Sequence, residues 1–433
     1  MSLDLDAVVL AADPRADVRI AGLSARERAV RVARKVGATR VRVVDDAGQL
    51  GALARFRDGG ARPLLVIRAD QLVHTPLVQP LIDALPDDGI AIAVGDSTPD
   101  YAGAFVATGG AADRALAALA AGDSDAELVA NIPDVRRVPH GTIARAPLAT
   151  AADRRAAHAL LYRLLVKPQD NAITRYLYRP VSSPLTRLLA HTPITPNQIS
   201  YLVAVLVAIG CWLTAQASDA DAIVGTAIVL AASYLDCCDG EIARLKLLSS
   251  RYGAWIDTVV DELSSLGYMI ALGWHCHVAL GPEYFGAPPF DPWLVAIAIG
   301  AITYACSIYC IYYNIIVAVG SANSQDYVGR FDVVAGAAPD RVRLRPAQAK
   351  AITTPRELSP WLRFVATYAP YIVRRDFISW AALVFAVLHL AHVSFAILVL
   401  GGIVTFVIVS IDHVKLRALR RAIARDGKII EAP

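Results

Sequence analysis

Four aspartates in one short stretch can do chemistry: Asp236, Asp239, Asp257 and Asp261. Asp236, Asp239, Gly240 and Ala243 stand at i, i+3, i+4 and i+7, which puts them on one face of a helix. Gly253, Asp257 and Asp261 stand at i, i+4 and i+8, one face of the next helix. Both stretches are otherwise apolar, with Ala222–Leu230 before the first set and Leu266–Leu272 after the second. A carboxylate costs about 2.5–3.5 kcal/mol at the centre of a membrane helix, so it faces a cavity or a partner. Four facing carboxylates also repel one another. A divalent cation resolves both problems, and hard oxygen donors suit Mg²⁺, Mn²⁺ or Ca²⁺. The small residues Gly240, Ala243 and Gly253 leave room for a ligand, and Arg244 could clamp a phosphate. Acids, small residues and an arginine at this spacing predict metal-dependent phosphoryl transfer.

Asp236, Asp239, Gly240, Ala243 and Arg244, followed by Gly253, Asp257 and Asp261, resemble the signature of the CDP-alcohol phosphotransferase family. The resemblance implies that Asp236, Asp239 and Asp257 bind Mg²⁺ or Mn²⁺, with Asp261 also near the metal. It implies that Gly240, Ala243, Arg244 and Gly253 accommodate the CDP moiety. Asp261 would be the general base on an acceptor alcohol, and CMP would leave. Donor and acceptor stay open: CDP-inositol with an inositol phosphate would give an inositol phosphodiester, whereas CDP-diacylglycerol would give a phospholipid. An ion-coupled transporter and an inactive scaffold are the alternatives from other classes. The expected partners are the CDP-alcohol, the acceptor, membrane lipids and a second copy in a homodimer, without nucleic acid.

These residues need elements to position them. The chain has 433 residues, is 55% hydrophobic and carries a net charge of +3. The apolar residues are concentrated after the first third. The expected fold is an α-helical integral membrane protein with an N-terminal α/β, Rossmann-like cytoplasmic domain. The expected divisions are residues 1–150, a linker over 151–197, a transmembrane domain over 198–415 and a basic tail over 416–433. Met1–Asp6 places acids where a secretory signal would carry basic residues, so the first domain is expected in the cytoplasm. The six cysteines (211, 237, 238, 276, 306 and 310) lie in apolar segments without zinc-site spacing and read as small hydrophobes.

In residues 1–150, Ala7–Ala12, Val41–Val44, Leu64–Ile67 and Ile90–Val94 read as strands, and Ala25–Val36 and Leu77–Leu85 as helices. This alternation predicts a parallel sheet with helices on both faces. The region resembles the sugar-phosphate nucleotidyltransferase fold through Leu10-Ala11-Ala12 and, in the helix after it, Gly22, Arg28 and Gly37. Where the family keeps a glycine-rich loop, Asp13–Arg19 has no glycine and contains Pro14. Asp70 stands where the family keeps a metal-binding aspartate. The expectation is a degenerate domain without cytidylyl transfer, with Asp70 either a strand-end cap or a surviving site.

Ala151–Leu165 reads as a helix broken by Lys167–Asn171. From Asn171 to Leu189, apolar residues alternate with Arg175, Arg179 and Arg187 in an interfacial amphipathic pattern, across Pro180 and Pro184. Lys167-Pro168, Asp170 and Thr195-Pro196-Asn197 resemble the segment that bifunctional family members place between cytidylyltransferase and transferase halves. About six spanning helices are expected, near 198–216, 222–243, 254–279, 292–319, 376–391 and 394–412. Residues 217–221, 278–291 and 391–393 contain no Lys or Arg, while the opposite loops and the tail are rich in them. Both termini and the site are therefore expected on the cytoplasmic side of the inner membrane. Arg179, Arg187, Arg374 and Arg375 stand at helix entrances and are candidates for an acceptor phosphate. Tyr309, Tyr312 and Tyr313 read as packing or interfacial belt.

Overall fold

A computed structural model describes residues 4–56, 62–95, 100–130, 135–166, 170, 172–286, 288–320, 326–336, 338, 340–347 and 375–431. The chain forms two compact units. The first is Met1–Gln169 with Ser183–Ile194 and Glu241–Leu248; the second is Asp170–Ser182, Thr195–Gly240 and Ser249–Pro433.

The first unit is built on β1 (Leu5–Leu10), α1 (Ala25–Lys35), β2 (Ala38–Val44), β3 (Leu64–Arg68), α2 (Thr75–Asp83), β4 (Gly89–Val94), β5 (Tyr101–Thr108), α3 (Gly109–Ala121) and β6 (Val135–Pro139). The sheet order is β2-β1-β3-β5-β4-β6. Alternate strand residues serve two cores. Ala7, Val9, Leu65 and Ile67 pack with Ala29 and Val32 of α1 and Leu77 of α2. Val8, Leu64, Val66 and Phe105 pack with Leu116 and Leu119 of α3. Helices cover both faces, as the alternation predicts. The expected all-parallel sheet is corrected: β1 runs parallel to β2 and β3, and β4 to β6, but β5 is antiparallel to both β3 and β4. The run Tyr-Ala-Gly-Ala-Phe-Val-Ala-Thr is rich in residues of weak strand preference and acquires its form from neighbours on both sides. α1 begins with a complete capping box, Ser24 with Glu27, so its start is locally encoded.

α4 (Ala151–Tyr162) follows in the same unit and packs Ala157 and Leu161 against Ile20, Ala190 and Leu245. Next come a π-turn, Thr174–Tyr178, and α5 (Arg179–Ala190), which contains Pro184. Tyr176, Val181 and Leu188 of this stretch are exposed apolar side chains. Lys167, Pro168 and Asn171 lie outside the described residues.

The second unit is helical: α6 (Pro196–Thr214), α7 (Asp219–Leu245), α8 (Arg251–Leu280), α9 (Pro292–Asn314), α10 (Arg375–Val387) and α11 (Ala391–Arg425). The last residues of α7, Glu241–Leu245, count with the first unit. Among the described residues, four helices are long and apolar enough to cross a membrane: Pro196–Thr214, Asp219–Leu245, Pro292–Val319 and Ala391–Arg425. α8 has the length, 30 residues, but carries Asp257, Asp261 and Glu262 in its first half. α10 has only 13 residues, of which Phe377–Val387 are apolar. A small sheet of β7 (Phe331–Ala335), β8 (Arg341–Pro346) and β9 (Ile429–Ile430) completes the unit, with β8 between the other two. Cys238, Cys276 and Cys310 are buried, Cys211 and Cys237 half-buried, and Cys306 exposed.

Candidate metal centre

α7 and α8 are joined by a five-residue turn, 246–250. Leu247 takes the left-handed conformation (φ 55°) that usually falls to glycine after a helix. Its side chain is buried in the core of the first unit, which offsets a strain of about 1–2 kcal/mol. Ser250 then caps α8, its hydroxyl accepting from the Gly253 N–H at 3.0 Å. Gly253 therefore sits in the first turn of α8. A Cβ there would stand 3.0 Å from Asn197 Oδ1, so glycine admits that polar side chain against the helix.

Asp236 of α7 and Asp257 and Asp261 of α8 each offer a carboxylate oxygen, and these three atoms lie within 4.8 Å of one another. All three residues are half-buried. Oxygens on opposite sides of a Mg²⁺ ion are about 4.2 Å apart, and about 5 Å around Ca²⁺. Sub-ångström adjustment brings this donor set around one divalent ion, and its hard oxygens suit such a cation.

Asp239 is not among the three. It is buried, and its Oδ2 accepts the Ser200 hydroxyl of α6 at 2.6 Å. It remains within electrostatic reach of Asp257 and Asp261. Ser200 was not anticipated from sequence; its signal is a hydroxyl one turn into an apolar helix, just after the Thr195–Gln198 capping box. A further acid was also missed. Glu262, next to Asp261, accepts the hydroxyls of Tyr304 (2.7 Å) and Tyr312 (3.2 Å) from α9. The tyrosine run thus divides. Tyr312 binds a carboxylate, while Tyr313 accepts from Arg420 and packs with Tyr309 on His413.

The remaining expected site residues have these places. Gly240 and Ala243 are half-buried on α7. Arg244 donates to the carbonyls of Leu164 (3.1 Å) and Leu165 (3.4 Å), inside the first unit. Arg179 is buried and makes a two-point pair with Asp170, at 2.8 and 3.0 Å. Arg187 is exposed and lies over the Tyr162 ring at 4.7 Å. Arg374 and the side chain of Arg375 lie outside the described residues.

A family model described as CDP-alcohol phosphatidyltransferase matches residues 193–339, which contain all four aspartates. A "Bifunctional IPC transferase and DIPP synthase" of Aquifex aeolicus is 32% identical over 133 residues, 31% of this chain and 28% of that protein. A protein of the same name from Rubrobacter xylanophilus is 32% identical over 113 residues, 26% of this chain and 25% of its own. An "Archaetidylinositol phosphate synthase" of Pyrococcus horikoshii is 35% identical over 101 residues, 22% of this chain and 50% of its own. The chain therefore spans half or less of the length of these curated relatives. Residues 193–339, with the three-carboxylate centre inside them, are the part of this chain that matches the CDP-alcohol phosphatidyltransferase family model.

Proposed function

We propose that residues 198–415 form a CDP-alcohol phosphotransferase, moving a substituted phosphoryl group from a CDP-alcohol to an acceptor alcohol with release of CMP. The observation that carries this reading is the convergence of Asp236, Asp257 and Asp261 in the segment that matches the family. Asp236 and Asp257, with Asp239 behind them on Ser200, would hold Mg²⁺ or Mn²⁺. Such an ion, when bound, neutralises the donor pyrophosphate and the charge on the transferring group. Asp261 takes the proton of the acceptor hydroxyl as its oxygen bonds the phosphorus distal to cytidine. The bond from that phosphorus to the bridging oxygen breaks, and CMP leaves with the oxygen. Gly240, Ala243, Arg244 and Gly253 are assigned to the CDP side from their motif positions. Two relatives are named for inositol-phosphate products, so CDP-inositol or a CDP-diacylglycerol-type lipid with an inositol phosphate are the first substrates to try.

The same reading has six spans, with α8 and α10 added to the four apolar helices. It has both termini and the centre on the cytoplasmic face of the inner membrane, and a homodimer as the assembly. Exposed Tyr284, Phe285 and Phe290 beyond the far end of α8 support a membrane interface at that end. They follow Asp257 by about 35 Å of helix. The N-terminal domain is proposed to lack cytidylyl transfer. In support, Asp13 caps its own loop and pairs with Arg15, in place of an open phosphate cradle.

The test is CMP release by the full chain in membranes. Chelation should abolish it, Mg²⁺ or Mn²⁺ should restore it, and Asp257→Asn should lower it at least a hundredfold. Undiminished turnover in excess chelator would sink the reading. Metal-independent ion flux without CMP would favour the transporter instead.

A further inference from the structure

The end of the helical unit away from the aspartate centre gathers a carboxylate and two imidazoles. Asp219 opens α7, His275 lies near the end of α8, and His389 stands in the turn between α10 and α11. His275 is about 27 Å along α8 from Asp257, so this cluster is separate from the three-carboxylate centre.

His275 is 4% exposed. Its Nδ1 is 2.6 Å from the Gln216 carbonyl, just after α6. A carbonyl only accepts, so Nδ1 carries the proton and the neutral ring has its lone pair on Nε2. That Nε2 faces Asp219 Oδ1 at 3.5 Å. Two electron-pair donors thus face each other, an arrangement that a cation between them makes favourable. The second carboxylate oxygen, Oδ2, is 2.6 Å from His389 Nδ1. Residues 217–221 and 388–393 contain no Lys or Arg, and among the described residues the two histidines are the ion-pair partners of Asp219.

His389 occupies a position that usually falls to glycine. Its φ is 58°, in the left-handed region. Its N–H donates to the Ala386 carbonyl at 3.0 Å and the Leu390 N–H to the Phe385 carbonyl at 2.7 Å, the paired bonds of a Schellman helix end. The strained turn delivers an imidazole to Asp219 where glycine would deliver nothing.

We propose that His275, Asp219 and His389 form a zinc site that staples the α6–α7 turn, α8 and the α10–α11 turn. With bonds of about 2.0–2.2 Å, donors around a tetrahedral Zn²⁺ stand about 3.3–3.4 Å apart. The 3.5 Å between His275 and Asp219 fits that spacing. A ring N–H held by a carbonyl, as on His275, is the contact that fixes the tautomer of a metal-binding imidazole. The two histidines address different oxygens of Asp219, so a shared ion requires the exposed His389 ring to turn towards Oδ1, with water in the fourth position. Two imidazoles and a carboxylate suit Zn²⁺, whereas the all-oxygen set of Asp236, Asp257 and Asp261 suits a harder cation. The zinc site does not rest on the transferase reading.

The experiment is a thermal melt of the full chain in detergent, stripped of metal, at neutral pH and in saturating Mg²⁺ so that hard-cation sites stay filled. Zn²⁺ should raise the melt, because an ion held only by the folded chain stabilises it. His275→Gln and Asp219→Asn should each raise the Zn²⁺ concentration for half the shift at least tenfold. His389→Gly relieves the left-handed strain, so its metal-free melt should equal or exceed that of the parent, yet its response to Zn²⁺ should weaken at least tenfold as well. Co²⁺ in place of Zn²⁺ should give the visible absorption bands of a tetrahedral ion, lost in the same variants. No rise with Zn²⁺, or an equal rise in His275→Gln and His389→Gly, would overturn the proposal. So would a rise on acidification that Zn²⁺ at neutral pH does not reproduce, which would assign the cluster to histidinium–carboxylate pairs alone.

Discussion

The hydroxyl of Ser200 has two acceptors, the Pro196 carbonyl at 3.3 Å and Asp239 at 2.6 Å. The shorter, charge-assisted bond wins, so Ser200 orients the one aspartate that stands outside the group of three. Ser200→Ala leaves that buried carboxylate without its donor, at a cost on the order of 1–3 kcal/mol. The expected outcome is about a tenfold rise in the Mg²⁺ concentration needed for half-maximal CMP release, with Ser200→Thr restoring most of it. A Ser200→Ala chain with an unchanged metal titration would show that Asp239 needs no orienting. The acids themselves were legible because their spacing is helical. Ser200 was not, because one serine in an apolar helix more often bonds its own backbone, and only packing of α6 on α7 picks out this one.

At the scale of elements, α1 anchors the end of the helix that carries Asp236. Its Arg28, fully buried, donates to the Leu245 carbonyl at 2.8 Å, and Arg31 donates to the Lys246 carbonyl at 2.7 Å. These carbonyls are the orphan acceptors of a helix C-terminus, where cations are favoured. Nearby, His74 begins α2. Burial, with the charge of Arg28, pushes its pKa from 6.5 down to about 4. The folded chain thus keeps His74 neutral while the unfolded chain takes up the proton as pH falls below 6.5. Stability of the first unit should therefore decline between pH 6.5 and 4, by up to about 3 kcal/mol from this group. His74→Gln should flatten that decline, read as the urea midpoint of the N-terminal domain by pulse proteolysis. An equally steep acid decline in the variant would remove His74 as the cause.

For the whole molecule, the asymmetry of basic residues is the basis of the proposed orientation. A cysteine placed at Gly286 should react with an impermeant thiol reagent in intact cells. One placed at Ala347 should react only after permeabilisation. The reverse pattern would put the aspartate centre on the face away from cytoplasmic nucleotides and would invert the proposed topology.

The sequence by itself determined which aspartates share a helix face and the division into an α/β part and an apolar helical part. Helical spacing of acids and long apolar runs are local properties, readable without contacts. It also determined the starts of α1, α4 and α6, because a capping box lies within four residues. The tertiary structure decided which aspartates meet, since Asp236 stands on one helix and Asp257 and Asp261 on another, and only packing brings their carboxylate oxygens within 4.8 Å. It decided the direction of β5, because strand pairing joins residues far apart in sequence. It also decided the state of Asp70. Nothing near Asp70 in sequence announces Arg15 as its partner, 55 residues earlier, and only the folded sheet brings the two together.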